Sequence, residues 1–179
     1  MTIKILELTP GCMPEVYKVG DWIDLFTAED ITLKAPYAHK LHKRKDKPNS
    51  SENIRDVDFF STLIPLGVRI KMPKGYEGIL VPRSSAFLKH GLLQTNSIGI
   101  IDNLYYGEDD EWKLPVVATQ EVTIPKGTRL CQFRIQLSQK ATFLQKLQWL
   151  FSSKVTLKQV DSLDGKSRGG FGSTDTPQQ

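Results

Sequence analysis

The stretch RLCQFRIQL, Arg129–Leu137, alternates polar and apolar side chains and predicts a β-strand with one buried face. Cys131, Phe133 and Ile135 would share the buried face, and Gln132 would point the other way. The other apolar runs are also short, β-branched and bounded by proline or glycine, at Ile3–Leu8, Thr62–Ile70, Gly78–Val81 and Trp112–Ala118. Many short strands at close spacing predict an all-β fold, a barrel or a sandwich.

The chain is expected to form one β domain over residues 1–164, with two additions and a terminal arm. The segment 36–58 is polar and rich in charge, which predicts a surface insertion that is partly disordered. Within 142–151, apolar side chains recur at steps of three and four residues, the period of an amphipathic helix. Residues 165–179 are rich in glycine and predict a flexible arm that closes over an active site.

The composition is that of an ordinary globular protein. The 179 residues are 39% hydrophobic and 25% charged, and the net charge of +4 favours anionic ligands without identifying nucleic acid. Cys12 and Cys131 are too few and too far apart to predict a disulfide framework or a zinc site, which favours a reducing compartment. No stretch suits a membrane span, and the N-terminal residues alternate instead of forming a signal peptide's apolar run. We therefore expect a cytoplasmic protein with no membrane or nucleic-acid partner.

Arg83 is a candidate phosphate ligand, because its guanidinium is a planar donor fork that suits phosphate oxygens. Ser84 and Ser85 add hydroxyl donors, and the turn that they are expected to form offers backbone N–H groups. Taken alone, an arginine on a polar turn is more often a surface residue. Asp102 strengthens the case, because it follows Ser97–Ile101, a run that we expect to be buried.

Asp102 is the candidate catalytic base. A carboxylate placed where a buried strand emerges can orient a water molecule and accept its proton. An Asp before Asn also commonly initiates a turn, which is the structural alternative. Tyr105 would pack its ring against a sugar or serve as a half-buried turn aromatic, and Asn96 would match a pyrimidine edge or cap its own turn.

The glycine-rich segment Arg168–Thr174 predicts a lid. Phe171 would cover an aromatic ring, and Arg168 would reach phosphate. Low-complexity flexibility is the alternative, and the presence of Phe171 counts against it. The segment lacks the strand–glycine–helix setting of a dinucleotide fingerprint and the Gly-Lys-Ser/Thr of a Walker loop.

The insertion carries a basic stretch, His39–Ser51, without a clear ligand signature. His39 and His42 have a helix-like spacing, but no cysteine or third histidine lies nearby, so a zinc site is not predicted. Lys40–Lys47 lacks the interleaved aromatics that would favour nucleic-acid binding. We expect a solvated loop.

Together these motifs resemble the trimeric dUTP diphosphatase (dUTPase) family, most closely the subgroup found in Bacillus and its prophages. Five segments in the family's order carry the resemblance, and with the strands between them they cover most of the chain. They are Gly20–Leu25 with Ala28, Pro82–Gly91, Asn96–Gly107, Lys126–Ile135 and Arg168–Thr174.

The resemblance implies a jelly-roll-like β-barrel with a short helical insertion, assembled as a homotrimer with active sites shared between subunits. The implied reaction converts dUTP and water to dUMP and pyrophosphate, with Mg²⁺ carried on the triphosphate. Fixed positive groups and a metal ion stabilise charge on the phosphates, as phosphoryl transfer requires.

The resemblance also implies roles for individual residues. Asp102 would activate the water that attacks the α-phosphorus, and Asp24 would act on the metal through water. The residues that would contact uracil and deoxyribose are Asn96, Gly99, Ile101 and Tyr105. The residues that would hold phosphates, drawn from different subunits, are Arg83, Ser84, Ser85, Gln132 and Arg168. The lid over the base would be formed by Phe171, Gly172 and Ser173.

The chain departs from the family pattern at several positions. Asp21-Trp22 replaces the small residues that usually precede Asp24, and Ser85 stands where glycine is common. Lys166 occupies the usual place of the arm's arginine, which leaves either Lys166 or Arg168 to contact the terminal phosphate.

Two alternatives share the fold. A dCTP deaminase has a similar Arg-Ser-Ser motif but needs a Glu on the strand after the Asp102 hairpin, and Trp112–Ala118 contains none. A phage dUTPase that also binds a repressor protein is the second, because insertion 36–58 and helix 142–151 offer extra surface for a regulatory partner. Loops tolerate insertions cheaply, so these segments permit such a partner without identifying one.

Overall fold

The computed structural model describes residues 1–16, 21–43, 46, 51–151 and 154–170. The strands are β1 (Thr2–Glu7), β2 (Glu15–Val16), β3 (Ile23–Phe26), β4 (Ile31–Leu33), β5 (Tyr37–Ala38), β6 (His42–Lys43), β7 (Asn53–Ile54), β8 (Val57–Asp58), β9 (Ser61–Pro65), β10 (Val68–Lys71), β11 (Tyr76–Pro82), β12 (Leu92–Gln94), β13 (Gly99–Ile101), β14 (Lys113–Ala118), β15 (Val122–Ile124), β16 (Arg129–Leu137) and β17 (Thr156–Gln159). The helices are α1 (Ser85–His90) and α2 (Phe143–Phe151). The predicted all-β class is confirmed.

A five-stranded sheet in the order β13-β11-β16-β3-β2 carries most of the candidate site residues. β11 pairs antiparallel with β16 from Tyr76↔Leu137 to Pro82↔Cys131, and β13 pairs with the other edge of β11. β16 has the bounds that its alternation predicts. A register shift between Arg129 and Cys131 places both Leu130 and Cys131 inside, which strict alternation does not allow.

One hydrophobic core joins this sheet to the three-stranded sheets β10-β1-β17 and β12-β14-β9. Trp112 and Phe133 are fully buried at its centre, with ring centroids 5.0 Å apart in an edge-to-face arrangement. Ile3 and Ile5 of β1 are also fully buried in this core. The sheets that carry the site are therefore held together by contacts between their inner faces.

The prediction of one strand over Thr62–Ile70 is wrong, because β9 and β10 are two strands separated by a turn. Gly67 has a φ of 65° in this turn, a conformation that glycine adopts without steric cost. Its carbonyl accepts the N–H groups of Leu8 at 2.8 Å and Thr9 at 3.2 Å. The hydrophobic pattern continues across the turn, so it did not show the break.

The turn expected at Ser84 and Ser85 is instead the start of helix α1. Ser84 is the N-cap residue, and Gly91 ends the helix with a φ of 66°. The Gly91 N–H donates to the Phe87 carbonyl at 2.8 Å. Because the helix has only six residues, it is too short to show a helical period in the sequence.

The described part of insertion 36–58 forms two short antiparallel pairs, β5 with β8 and β6 with β7. Two histidine–carboxylate contacts accompany these pairs, His39 with Asp58 at 2.8 Å and His42 with Asp56 at 2.7 Å. In the described part of the insertion, strand pairing satisfies the backbone groups of these residues.

Helix α2 lies where the spacing within 142–151 predicted a helix. Trp149 packs on Tyr76, with ring centroids 5.6 Å apart. The opposite side of the helix is exposed and apolar, at Phe143, Leu144, Leu150 and Phe151. Neither helix in the described part of the chain has the length and apolarity that a membrane span requires.

Gly67→Ala should destabilise the protein more than Gly127→Ala. Both glycines have positive φ, 65° and 76°, so each alanine should cost about 1–2 kcal/mol of backbone strain. A Cβ at Gly67 would also lie 2.9 Å from the Cys12 sulfur and the Thr9 Cβ, whereas a Cβ at Gly127 meets nothing within 4 Å. We expect a total loss of about 2–4 kcal/mol in the free energy of unfolding for Gly67→Ala. Urea denaturation measures the free energy of unfolding of both variants, and equal losses of stability would contradict the packing argument.

Candidate functional site

A pocket of about 270 Å³ lies beside Asp102. It is bounded by strand β13, the turn before it, strand β14 and the C-terminal arm. The predicted site residues that line it are Asn96, Gly99, Ile101, Asp102, Tyr105 and Arg168. We call this site the Asp102 pocket.

The turn between β12 and β13 forms one wall of the pocket. It joins two sheets and does not close a hairpin, because β12 pairs with β14 and β13 pairs with β11. Ser97 has a φ of 59°, unusual for a residue with a side chain, and the Ile98 N–H donates to the Asn96 carbonyl at 2.6 Å. Gln94 Nε2 donates to Asn96 Oδ1 at 2.7 Å and so fixes the orientation of that amide. The tight turn therefore holds Asn96 at the pocket before any ligand binds.

The expectation that Ser97–Ile101 is a buried run is wrong. Ile98 is 53% exposed and Ile100 is 66% exposed, whereas Gly99 is buried. β13 is the outer strand of its sheet and presents only one face to the core. Its other face is apolar but open, and Ile100 contributes to the pocket wall.

Asp102 both initiates a turn and faces the pocket. Its Oδ1 accepts the Leu104 N–H at 2.7 Å, which is the turn role that the sequence left open. Its Oδ2 lies 2.7 Å from Arg168 Nη1, and both side chains are about half exposed, at 45% and 50%. The two oxygens thus serve different purposes, and only Oδ2 points to the arm.

Tyr105 is fixed at the base of the pocket. Its O–H donates to the Glu111 carbonyl at 3.3 Å. Burial raises the pKa of the Tyr105 phenol, and the charges of Asp110 and Glu111 raise it further, so the phenol remains neutral at physiological pH. A Cβ on Gly170 would lie 3.1 Å from this ring, so the arm packs directly against it.

The described part of the arm, residues 165–170, lies against its own chain. Arg168 Nη1 ion-pairs with Asp102 Oδ2 of the same chain. Strand β17, which precedes the arm, pairs with β1 of the same chain and so directs the arm to this pocket. Lys166 is not among the described residues that line the pocket. The predicted lid residues Phe171, Gly172 and Ser173 lie outside the described residues.

The other predicted residues form a second group, which we call the Arg83 cluster: Asp24, Arg83, Ser84, Ser85 and Gln132. Arg83 Nη1 contacts Asp24 Oδ2 closely, and Arg129 Nη1 lies 3.9 Å from the same oxygen. Gln132 of β16 is in register with Asp24 of β3. None of the cluster is among the described residues that line the Asp102 pocket.

Asp24 is 2% exposed and ion-paired, so its carboxylate is directed to Arg83 instead of to solvent and a hydrated metal. The described residues contain no group of three or more His, Cys, Asp or Glu side chains arranged to hold a metal ion. Burial raises the pKa of the neighbouring Cys131 thiol, and Asp24 adds to that rise, so Cys131 is an inert buried thiol. The chain's own groups therefore do not fit a resident metal at this cluster.

Sequence reasoning missed several residues of the pocket. Lys113 and Pro115 line it from β14, and Trp112 lines it from the position just before that strand. Gln94 orients Asn96, and Asp110 is a buried carboxylate in the loop after Tyr105. Alternation marks β14 as a strand, but no local pattern shows which strand faces a pocket or which acid in the run of four, Glu108–Glu111, is buried.

Arg83→Ala should lower the free energy of unfolding by about 3–5 kcal/mol, because it leaves the buried Asp24 charge without its principal partner. The double variant D24N/R83Q replaces the ion pair with two neutral amides of similar size and should restore most of that stability. Urea denaturation of both variants measures the difference. An R83A protein as stable as the wild type would contradict the importance of this pair.

Comparison with known proteins gives one family. The family model described as dUTPase matches residues 54–174. The chain is 40% identical over 174 residues to the SPbeta prophage-derived deoxyuridine 5'-triphosphate nucleotidohydrolase of Bacillus subtilis, covering 97% of this chain and 96% of that protein. It is 33% identical over 181 residues to the deoxyuridine 5'-triphosphate nucleotidohydrolase of Finegoldia magna, covering 97% of this chain and 99% of that protein.

A solved structure of the Staphylococcus bacteriophage 80alpha dUTPase with dUPNHPP has the same fold, with a TM-score of 0.57 and 20% identity. The match covers 96% of each chain. The resemblance to the family and to its Bacillus prophage members is thereby confirmed.

Proposed function

The chain belongs to the dUTPase family, and we propose that it hydrolyses dUTP to dUMP and pyrophosphate. The observation that carries the proposal is the Asp102 pocket, where a carboxylate, an arginine, a fixed amide and an aromatic ring surround one cavity. A cavity of about 270 Å³ suits a nucleoside, with the phosphates continuing toward Arg168.

The side of the pocket formed by β13 and the turn before it would hold the base and sugar. The Asn96 amide offers a donor and an acceptor, and the backbone at Gly99 and Ile101 adds further groups to match a uracil edge. A cytosine would present the reversed donor–acceptor pattern and leave buried groups unpaired. Tyr105, held by its bond to the Glu111 carbonyl, would lie against the deoxyribose.

Asp102 would act as the general base. Its carboxylate accepts a proton from a water molecule whose oxygen bonds to the α-phosphorus, and the bond from that phosphorus to the bridging oxygen breaks. Pyrophosphate leaves with the bridging oxygen. Arg168, now 2.7 Å from Asp102, would exchange this contact for phosphate oxygens and stabilise their charge.

Magnesium would enter as part of the substrate. The described residues offer no cluster of metal ligands, and Asp24 is committed to Arg83, so a Mg²⁺–dUTP complex fits the chain better than a resident ion. The ion neutralises phosphate charge when it is bound. Asp24 would then serve the reaction by orienting Arg83.

The arrangement along β11 supports a site shared between subunits. The turn at Asn96 lies toward Pro82, because Gly99 of β13 pairs with Leu80 of β11. Asp102 lies toward Tyr76, because Ile101 pairs with Gly78. Arg83 follows Gly78 by five residues, about 16 Å at 3.3 Å per residue. A nucleotide with its base at Asn96 and its α-phosphate at Asp102 would direct its other phosphates away from Arg83 of its own chain.

We therefore propose a homotrimer in which the Arg83 cluster of one subunit completes the Asp102 pocket of another. The β domain, residues 1–164, would have the jelly-roll-like barrel of the family, and residues 165–179 would be the arm that covers the site. The Arg83 fork, Ser84, Ser85 and Gln132 would bind phosphate oxygens of a nucleotide in the neighbouring pocket.

The wild-type protein should release pyrophosphate from dUTP in the presence of Mg²⁺ and much less from dCTP, dTTP or UTP. Asp102→Asn should lower kcat by about 10²–10⁴-fold, because it removes the base, while dUTP still binds. Pyrophosphate and ammonia are assayed on each nucleotide, and binding to the variant is measured by calorimetry. Ammonia from dCTP would favour the deaminase, and an active Asp102→Asn would reject this base.

Mixing two inactive variants tests the shared site. Trimers assembled from Asp102→Asn and D24N/R83Q subunits should recover activity, because about a quarter of the sites in random mixtures combine an intact pocket with an intact cluster. A mixture of Asp102→Asn with Tyr105→Ala is the control, because both changes damage the same pocket and no recovery is expected. Light scattering gives the mass of each assembly. Failure of the first mixture to recover activity in verified mixed trimers would place the complete site within one subunit.

A further inference from the structure

Asp110 is a buried carboxylate with no role in the reaction described above. It is 1% exposed and lies in the loop between Tyr105 and strand β14. A buried carboxylate without hydrogen bonds would destabilise the folded protein, so its hydrogen-bond partners indicate which segments it holds together. Those partners come from both its own loop and the C-terminal arm.

The carboxylate accepts hydrogen bonds from three residues. Oδ2 accepts the Gly107 N–H at 2.7 Å, within the loop. Oδ1 accepts the Ser167 hydroxyl at 3.3 Å. The Arg168 N–H lies 3.4 Å from Oδ1 and 3.3 Å from Oδ2. One buried acid thus joins the loop that carries Tyr105 to the arm that carries Arg168.

Two glycines give an independent sign that this contact is specific. A Cβ on Gly107 would lie 2.3 Å from the Ser167 nitrogen and 2.4 Å from its Cα, which is backbone that cannot move aside. A Cβ on Gly165 would lie 2.5 Å from the Tyr106 ring. Loop and arm therefore approach more closely than side chains would permit, at the point where Asp110 binds.

We propose that Asp110 is a positioning residue that anchors the C-terminal arm and thereby sets where Arg168 acts. It holds the Arg168 backbone, from which the side chain crosses to Asp102 at 2.7 Å. Asp110 does not line the pocket, and its effect on the reaction passes through Arg168. This inference rests on the proposed function, in which Arg168 binds the phosphates of the nucleotide.

Asp110→Asn should lower kcat/KM for dUTP by about 10- to 100-fold, as expected for loss of charge-assisted hydrogen bonds. An amide keeps one acceptor oxygen, and its NH₂ group would face an N–H donor of the loop or the arm. Asp109→Asn is the matched control. The Asp109 carboxylate neighbours Asp110 but is exposed, so its loss should leave kcat/KM unchanged.

A double-mutant cycle separates positioning from a general structural role. If Asp110 acts through Arg168, D110N/R168A should be no slower than Arg168→Ala alone, because the residue that Asp110 positions is already gone. If kcat/KM of the double variant fell by the product of the two single-variant losses, the proposal would be overturned. Gly107→Ala should show the same non-additivity, since its Cβ would displace Ser167, and it provides the test if Asp110→Asn fails to fold.

Limited trypsin digestion reports on the arm without any turnover. The wild type and Asp109→Asn should be cleaved slowly after Arg168, and Asp110→Asn about 10-fold faster or more, as followed by intact mass. Equal cleavage rates for all three would overturn the anchor. A protected arm in a protein that does not hydrolyse dUTP would reject the proposed function alone, whereas an active enzyme indifferent to Asp110→Asn would reject the anchor alone.

Discussion

The pairing of β11 with β16 across seven residue pairs, Tyr76↔Leu137 to Pro82↔Cys131, is the constraint on which both parts of the site depend. One edge of β11 carries β13 and hence Asp102, while its C-terminal end delivers Arg83. The other edge of β16 carries β3 and hence Asp24. A shift of this register by one residue would turn every side chain to the opposite face and separate Arg83 from Asp24.

The sequence predicted well where chemistry and periodicity agree. The alternation of Arg129–Leu137 gave β16 with its observed bounds, and Asn96, Asp102, Tyr105 and Arg168 do line one pocket. The prediction from sequence failed where the backbone conformation of one residue decides whether a strand continues. Gly67 divides an otherwise continuous apolar run, and that choice depends on hydrogen bonds to Leu8 and Thr9, far away in the chain.

The sequence also does not show which residues a charged side chain contacts or whether it is buried. Nothing local shows that Asp24 is buried against Arg83, or that Asp110 and not Asp109 is the buried member of its acidic run. Ser97–Ile101 illustrates the same limit, because its hydrophobicity predicted burial, whereas edge position leaves Ile98 and Ile100 open. Hydrophobicity indicates which side chains favour burial, but the position of their strand in the sheet decides whether one subunit buries them.

Arg83 and Arg168, the two arginines proposed to bind phosphate, are each held by a buried carboxylate. Among the described residues, the buried polar side chains are Asp24, Thr27 and Asp110, and both acids in this set hold an arginine. Asp24 binds the Arg83 guanidinium directly, whereas Asp110 binds the Arg168 backbone and leaves its guanidinium available to exchange partners. A buried charge is destabilised when its partner leaves, so each acid favours one position of its arginine. The direct pair fixes the Arg83 guanidinium. The backbone anchor holds the Arg168 main chain, so that in the proposed reaction its guanidinium would move from Asp102 to a phosphate while the main chain stays in place.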